Sequence, residues 1–439
     1  MSARIYDAIG IGIGPFNLGF AALAEENLDV LLFDQKEEFN WHPGMLIEGT
    51  TLQVPFFADL VSMIDVKNKF SFLNYLQVHN RMYHFYFLEK FHIPRKEYND
   101  YCKWVSDQLS SCRFGYEVTE VSPYETEDGE SVYAVHVRNV KTLQYEEYMA
   151  KHLVMGIGSS PSVPEHLKHA LGETVFHSSE FMERKQNAQK GQSIVVVGSG
   201  QSAAEIFLNL TREQELYDYS LCWYTRSQGF FPMEYSKLGL EYFSPDYTKF
   251  FYQLPQSQKD QLLQKQDLLY KGISADTISD IYEALYEKSI GNQNPALHLQ
   301  AMSEITELEK KNHSWLGKGQ HIVTGESFES EAEVVILATG YKQTKPQFLP
   351  DYLIQKDEHG RFQISEDYRL KTNIANQNDV FIQNGELHTH GVGAPDLGLG
   401  PHRNATIINQ IAQRDVYPVQ SKNVFQTFGT VNKPVLTTN

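Results

Sequence analysis

Two glycine-rich turns stand 186 positions apart, and each follows a short apolar run and opens a helical pattern. The first is Gly12-Ile13-Gly14-Pro15-Phe16-Asn17, after residues 6–11. The second is Gly198-Ser199-Gly200-Gln201-Ser202-Ala203, after residues 193–197. In a strand, tight turn and helix of this kind the backbone can approach a pyrophosphate, whose charge then rests on the helix N-terminus. A single turn of this type also joins strands to helices without any ligand. Two in one chain point to an α/β fold with two Rossmann-like dinucleotide-binding domains, the arrangement a flavin enzyme needs to take hydride from a nicotinamide.

The strand after each turn separates the two sites. The apolar run 28–33 ends at Asp34, 22 positions past Gly12, close to the spacing of about 20 residues for a carboxylate on a ribose hydroxyl. The run 221–225 ends at Arg226. An arginine there accepts a 2′-phosphate that an acid would repel. The first site is therefore assigned to FAD and the second to NADPH. The alternative has both turns structural and Arg226 a solvated charge.

At 439 residues the chain exceeds one ordinary core. The FAD-binding domain is expected over 1–165 and 330–415, and the NADPH-binding domain over 166–255 and 290–329. A polar helical substrate subdomain is expected over 256–289, and a partly ordered tail over 416–439. The aromatics of 70–91 read as core packing. A net charge of −17 argues against nucleic-acid and anionic-membrane partners. Cys102, Cys112 and Cys222 form no CxxC pair and no metal spacing, so no metal is expected and the thiols read as reduced, in a cytoplasmic protein. The first strand begins within a few residues of the N-terminus, leaving no room for a signal peptide.

Further segments carry a resemblance. Gly12-Ile-Gly14-Pro15-Phe-Asn17-Leu18, Trp41-His42-Pro43-Gly44-Met45, Phe72-Leu-Asn74-Tyr75-Leu76, Gly198-Ser-Gly200-Gln201-Ser202-Ala203, Ala338-Thr339-Gly340-Tyr341 and the stretch from His390 to Leu399 occur in order along the chain. Together they resemble the flavin-dependent N-hydroxylating monooxygenases of siderophore biosynthesis, over nearly the whole length. The resemblance implies that NADPH reduces FAD, that O2 adds to give a C4a-hydroperoxyflavin, and that a neutral amine attacks its distal oxygen. It places Gln53 near the flavin as a protector of the intermediate and packs Trp41, His42 and Met45 against the flavin. Thr339, Gly340, Tyr341, His390, Asp396 and Leu397 join the cofactor-binding set with Pro15, Asn17, Gln201 and Ser202. Asn294 is put near the amine, and a homo-oligomer, dimer or tetramer, is implied.

Ala58 departs from the family pattern. Relatives that hydroxylate lysine or ornithine carry a lysine here, which pairs with the substrate carboxylate. Burying a carboxylate without such a partner is costly, so alanine suits a substrate that has none. Relatives acting on diamines are similar to this chain here and in the segment 386–391. Putrescine and cadaverine lead, with histamine third. In the alternative, Lys67 or Lys69 restores the cation in a lysine or ornithine enzyme. Remoter alternatives are another class B-like flavin monooxygenase and a non-catalytic nucleotide-binding redox sensor.

Overall fold

The computed structural model describes residues 4–291, 295–373 and 378–430. The first sheet grows around Ile5–Ile11, which runs parallel to Val30–Asp34 on one side and to Tyr145–Met155 on the other. Cys112–Phe114 extends it beyond Val30–Asp34. The far edge of Tyr145–Met155 is divided: residues 145–150 take antiparallel Ser131–Asn139, itself paired with Tyr116–Glu125, while residues 153–155 take parallel Val380–Ile382. The central strands are almost wholly apolar because helices or loops cover both faces. Ile9, Leu31 and Leu153 point to one face, and Ala8, Leu32 and Val154 to the other, where Leu18, Phe20 and Ile407 of the helices Pro15–Ala24 and Gly400–Ala412 pack.

The second sheet is entirely parallel, in the order Leu297–Gln300, Ser220–Tyr224, Ser193–Val197, Val334–Leu337, Val175–His177. Val334–Leu337, grouped with the first domain from the sequence, belongs here: its Val335 and Ile336 lie opposite Val195 and Val196. The return to the first unit therefore falls near residue 340 and not near 330. A buried apolar strand carries no local mark of the sheet it will join. The antiparallel sheet Ser303–Lys311, Ser314–His321 and Ser327–Ala332 packs against the second unit through Leu308 and Ala332. Both crossings between the units meet in one short antiparallel pair, Ser159–Pro161 with Tyr341–Gln343.

The expected helical subdomain divides in two. Ala275–Lys288 packs through Ile281 on the core around Ile206 and Phe207, so it is a layer of the second unit. Pro245–Tyr252 and Gln256–Lys265 instead form a small core with Val392 and Phe428. Phe428 comes from the expected tail. Asn423 donates to Asp246, and the amides of Phe425 and Gln426 donate to Glu241 at 3.0 and 2.9 Å. The tail is thus pinned across these helices as far as it is described.

The aromatic stretch also divides. Phe70, Phe72 and Tyr75 are buried as expected, but the helix Met82–Leu88 buries no residue. Tyr83, Tyr86, Phe87 and Phe91 stand exposed, with Phe57 and Leu88 beside them in the same class. Among the described residues, no helix is long and apolar enough to cross a membrane.

Candidate active site

The first turn has one crowded glycine and one open one. Gly12 has φ +85°, and a Cβ there would lie 2.6 Å from the Gly156 carbonyl oxygen. Gly14, the N-cap of Pro15–Ala24, would meet nothing within 4 Å. The open side lies over the helix N-terminus, where a diphosphate fits. Pro15 occupies the first helical turn, where its missing N–H costs nothing. Asp34 closes the turn from the next strand, its Oδ2 accepting from the Ile13 N–H at 2.8 Å.

Asn17 behaves differently from its sequence assignment. It is fully buried; its Nδ2 donates to the carbonyls of Gly12 and Val154 at 2.8 and 3.1 Å, and its Oδ1 accepts from Gln383 at 2.7 Å. With its hydrogen bonds committed to protein, the side-chain amide locks the turn to the neighbouring strands.

Beyond the turn lies a small cavity lined by Pro15, Phe16, Asp59, Leu60, Tyr98 and Leu397. Asp59 is buried and held by the amides of Val61, Ser62 and Phe72 and by the Ser62 hydroxyl. Trp41 stands edge-on to Tyr98 and to His42. Burial, aided by the positive charges of Arg95 and Lys36, lowers the His42 imidazole to about 4, so the ring is neutral at physiological pH.

Met45 lies elsewhere. It packs with Ile47 in the core of the second unit, beside Phe176 and Phe181. Gly44 makes this docking necessary to the sequence, since a Cβ there would fall 1.7 Å from the Ser179 carbonyl oxygen. The Trp-His-Pro-Gly-Met loop is therefore the seam between the units, with Trp41 and His42 toward the first and Met45 in the second. Arg95 and Glu205 tie the same seam with an ion pair at 2.8 Å that is nearly enclosed.

At the second turn Gly198 has φ +152°, and a Cβ there would sit 2.2 Å from the Ala338 carbonyl oxygen. Gly200 has only the Lys271 carbonyl near it, at 3.6 Å. Gln201 is committed to protein: its Oε1 accepts from the Ser274 amide at 2.8 Å, and its Nε2 donates to Glu205 and Thr277. Ser202 is half-buried in the first turn of the same helix. Arg226 stands 76% exposed, with a loose contact of 3.5 Å to Glu304.

The crossing carries Thr339, Gly340 and Tyr341. The Thr339 hydroxyl donates to the Ser162 carbonyl at 2.6 Å, and the Gly340 carbonyl accepts from His177 Nε2 at 3.0 Å. Tyr341 lies between the rings of His42 and His177, and its buried hydroxyl has no hydrogen-bond partner. Such an orphaned donor is rare in a finished interior. Its place between the two glycine turns fits a bound dinucleotide group that supplies the partner.

Gln53 is half-buried. Its backbone carbonyl accepts from the Tyr235 hydroxyl, and its amide reaches Met233 Sδ at 3.6 Å. Ala58 is buried. Asp396 is half-buried and accepts from the Leu399 N–H at 3.2 Å, and burial lifts its carboxyl to about 6. Asn294 lies outside the described residues. His390 is buried against Tyr368, bonded to Thr389 at 2.8 Å, and burial holds it at about 3, hence neutral.

The sequence reading missed the fully enclosed ion pair of Arg403 and Glu386, at 3.0 Å with both side chains 0% exposed. Arg403 also donates to the Ala394 carbonyl at 2.7 Å and lies over the Phe16 ring at 4.8 Å. It thus joins the first glycine turn to the loop bearing Asp396. Among the described residues, no group of three His, Cys, Asp or Glu is placed to hold a metal.

Two open glycine turns, each between parallel strands, joined at a seam with an unpartnered hydroxyl, define an oxidoreductase of the two-dinucleotide type. More narrowly, the chain belongs to the L-lysine 6-monooxygenase/L-ornithine 5-monooxygenase family, which matches residues 4–343. It is 42% identical to the rhizobactin siderophore biosynthesis protein RhbE of Rhizobium meliloti, covering 97% of this chain and 95% of that one. It is 42% identical to a putrescine N-hydroxylase of Shewanella oneidensis, covering 98% and 85%. Among solved structures it superposes, at a TM-score of 0.93 and 38% identity, on the FAD-bound cadaverine monooxygenase DfoA of Erwinia amylovora, covering 98% and 100%.

Proposed function

We propose that this chain is a FAD- and NADPH-dependent monooxygenase that N-hydroxylates a small diamine, putrescine or cadaverine, for siderophore biosynthesis. The observation that carries the reading is Ala58, buried beside the cavity where a family member built for amino acids has a cation. Neither candidate replacement supplies it: Lys69 is engaged by Glu25 at 2.6 Å, and Lys67 is exposed. The names of the similar putrescine and cadaverine enzymes support the same substrate class.

When bound, FAD supplies the oxygen-transferring chemistry and NADPH the hydride. The chain's own residues hold, orient and exclude water. The turn at Gly12 and Gly14 with the N-terminus of Pro15–Ala24 would hold the FAD diphosphate, and Asp34 a ribose hydroxyl. Gly198 and Gly200 would do the same for NADPH, with Arg226 free to take the 2′-phosphate. Leu60, Tyr98 and Leu397 give the cavity an apolar wall. Gln53 and the unpartnered Tyr341 hydroxyl offer donors at the seam, and neutral His42 adds no competing charge. Three unpaired cysteines support a cytoplasmic setting.

A product assay with putrescine, cadaverine, histamine, lysine and ornithine tests the assignment. Hydroxylamine should form from a diamine with NADPH consumption matched to product. Lysine and ornithine should mostly drive uncoupled oxidation to hydrogen peroxide. Efficient, coupled turnover of either amino acid would refute the diamine reading.

We infer further that the exposed helix Met82–Leu88 meets a second copy of this chain. Exposed portions of Tyr83, Tyr86, Phe87, Phe91 and Phe57 amount to roughly 650 Å² at ring areas of ~200 Å². That exceeds the usual largest apolar patch of a monomer, about 300–600 Å², and approaches the ~800 Å² per partner of a standard interface. The helix bears no acidic or basic residue other than His84, so two copies of this acidic chain meet there without like-charge repulsion. Sedimentation should give an oligomer that dissociates in Tyr86→Glu; a monomeric wild type refutes the interface.

A further inference from the structure

We propose that Asp396 is the anchor for the substrate ammonium remote from the reacting nitrogen. The inference rests on the diamine reading above and names the group that makes it specific.

Asp396 lies in the loop that leads into the helix Gly400–Ala412, and Arg403 holds that loop through the Ala394 carbonyl at 2.7 Å. Its carboxylate and Ala58 converge on one glycine. A Cβ on Gly398 would lie 3.0 Å from Asp396 Oδ1 and 3.6 Å from the Ala58 Cβ. Two small residues therefore leave room beside the carboxylate on the wall next to the cavity. Tyr98, which lines that cavity, and Tyr235, which bonds the Gln53 carbonyl, both lie within reach of its charge. Asp396 and Ala58 are thus brought together from distant parts of the sequence.

The electrostatics are unbalanced in one direction. Among the described residues, no Lys, Arg or His stands within ion-pair distance of Asp396. Arg403, the nearest cation to influence it, is already paired with Glu386. The donors to Asp396 are the backbone N–H groups of Leu399 and Gly398. A largely desolvated carboxylate without a counter-ion is costly, and an incoming ammonium supplies both charge and donors. With alanine at 58, this wall carries a negative charge and no positive one, which suits a diamine and repels the carboxylate of an amino acid.

Asp396→Asn tests the proposal, because the asparagine Oδ1 can still accept from the Leu399 N–H, and only the charge is lost. Steady-state rates are measured with putrescine and with 1-aminobutane, which keeps the reacting amine and lacks the far ammonium. The wild type should show a KM for putrescine at least tenfold below that for 1-aminobutane. The variant should raise the putrescine KM tenfold or more while leaving the 1-aminobutane KM unchanged. Calorimetric titration of putrescine into the holoenzyme should lose its binding signal in parallel. Asp396→Ser, whose hydroxyl can also accept from the Leu399 N–H, should repeat the pattern should the asparagine variant lose its fold. Equal effects on both amines, or none on putrescine, would overturn the anchor while the wild type still hydroxylates diamines. A wild type that makes hydroxylamine only from lysine or ornithine would overturn the anchor and the diamine reading together.

Discussion

Replacing Arg403 with leucine should be among the most damaging single changes outside the glycine turns. The substitution leaves the Glu386 carboxylate in a fully enclosed site, with backbone amides such as Gly385 N–H, at 2.7 Å, as its remaining donors. Breaking one side of a buried pair costs about 3–5 kcal/mol, because the other charge stays buried. At roughly 2–4 °C per kcal/mol for a unit of this size, the midpoint of the first thermal transition should fall by about 6–20 °C at neutral pH. The deficit should depend on pH in a definite direction. Burial already raises Glu386 above its ordinary range, and Arg403 opposes the rise. Without the arginine the folded-state value climbs further above the unfolded one. Stability from a carboxyl raised in this way is full below its unfolded value and is lost as pH rises through the folded one. The variant should therefore approach wild type near pH 4–5 and fall furthest behind near pH 8, as read by scanning calorimetry across that range. Arg403→Leu with Glu386→Leu should recover part of the loss. A deficit under about 1 kcal/mol, a deficit that shrinks with rising pH, or a double variant no better than the single one would refute the reasoning.

Arg226→Ala should raise the NADPH requirement tenfold or more and barely change NADH use, since the charge-assisted contact is worth ~1.5–3 kcal/mol; equal losses in the two steady-state assays would remove Arg226 from the 2′-phosphate. Gly14→Val should fold and be purified without flavin, because a side chain there meets only open space in the protein. Gly12→Val should not fold, with φ +85° and a Cβ 2.6 Å from the Gly156 carbonyl. Flavin absorbance and circular dichroism separate these outcomes, and full flavin content in Gly14→Val would misplace the site. Since burial sets Asp396 at about 6, the diamine KM should rise as pH falls below that value and its carboxylate is neutralised. A parallel rise in Asp396→Asn would assign that limb to another group.

The parts of the site legible in the sequence were those written in local spacing. Gly12, Gly14, Gly198 and Gly200 announce themselves because a turn between strand and helix needs them within three residues. Asp34 and Arg226 were readable as the ends of the strands that follow the turns, because a strand's end is one crossover away. Residues whose role depends on distant partners were not legible. Asn17 and Gln201 sit at the positions of cofactor contacts, yet their amides are used up by Val154, Gln383, Ser274 and Thr277, far away in sequence. His390 lies in a family segment, but desolvation makes it core. Arg403, Glu386, Arg95 and Glu205 look like ordinary solvated charges in their helical surroundings, because ion pairing across 17 or 110 positions has no periodicity to read. Val334–Leu337 was legible as a strand, and its sheet was not, since an apolar run fits either one.

The short pair formed by Ser159–Pro161 and Tyr341–Gln343 gives the chain the topology of a host and a guest. Tyr145–Met155 and Val380–Ile382 are neighbours in the first sheet, yet the whole second unit is strung between them. Departure and return lie one strand spacing apart, about 4.8 Å, so the host sheet closes in the same order whatever length of chain makes the excursion. A nucleotide-binding cassette can enter such a loop without cutting any ladder of its host. Accommodation shows at the line of contact: a glycine at 44 where the Ser179 carbonyl comes too close for any side chain, and an arginine at 95 facing a glutamate at 205.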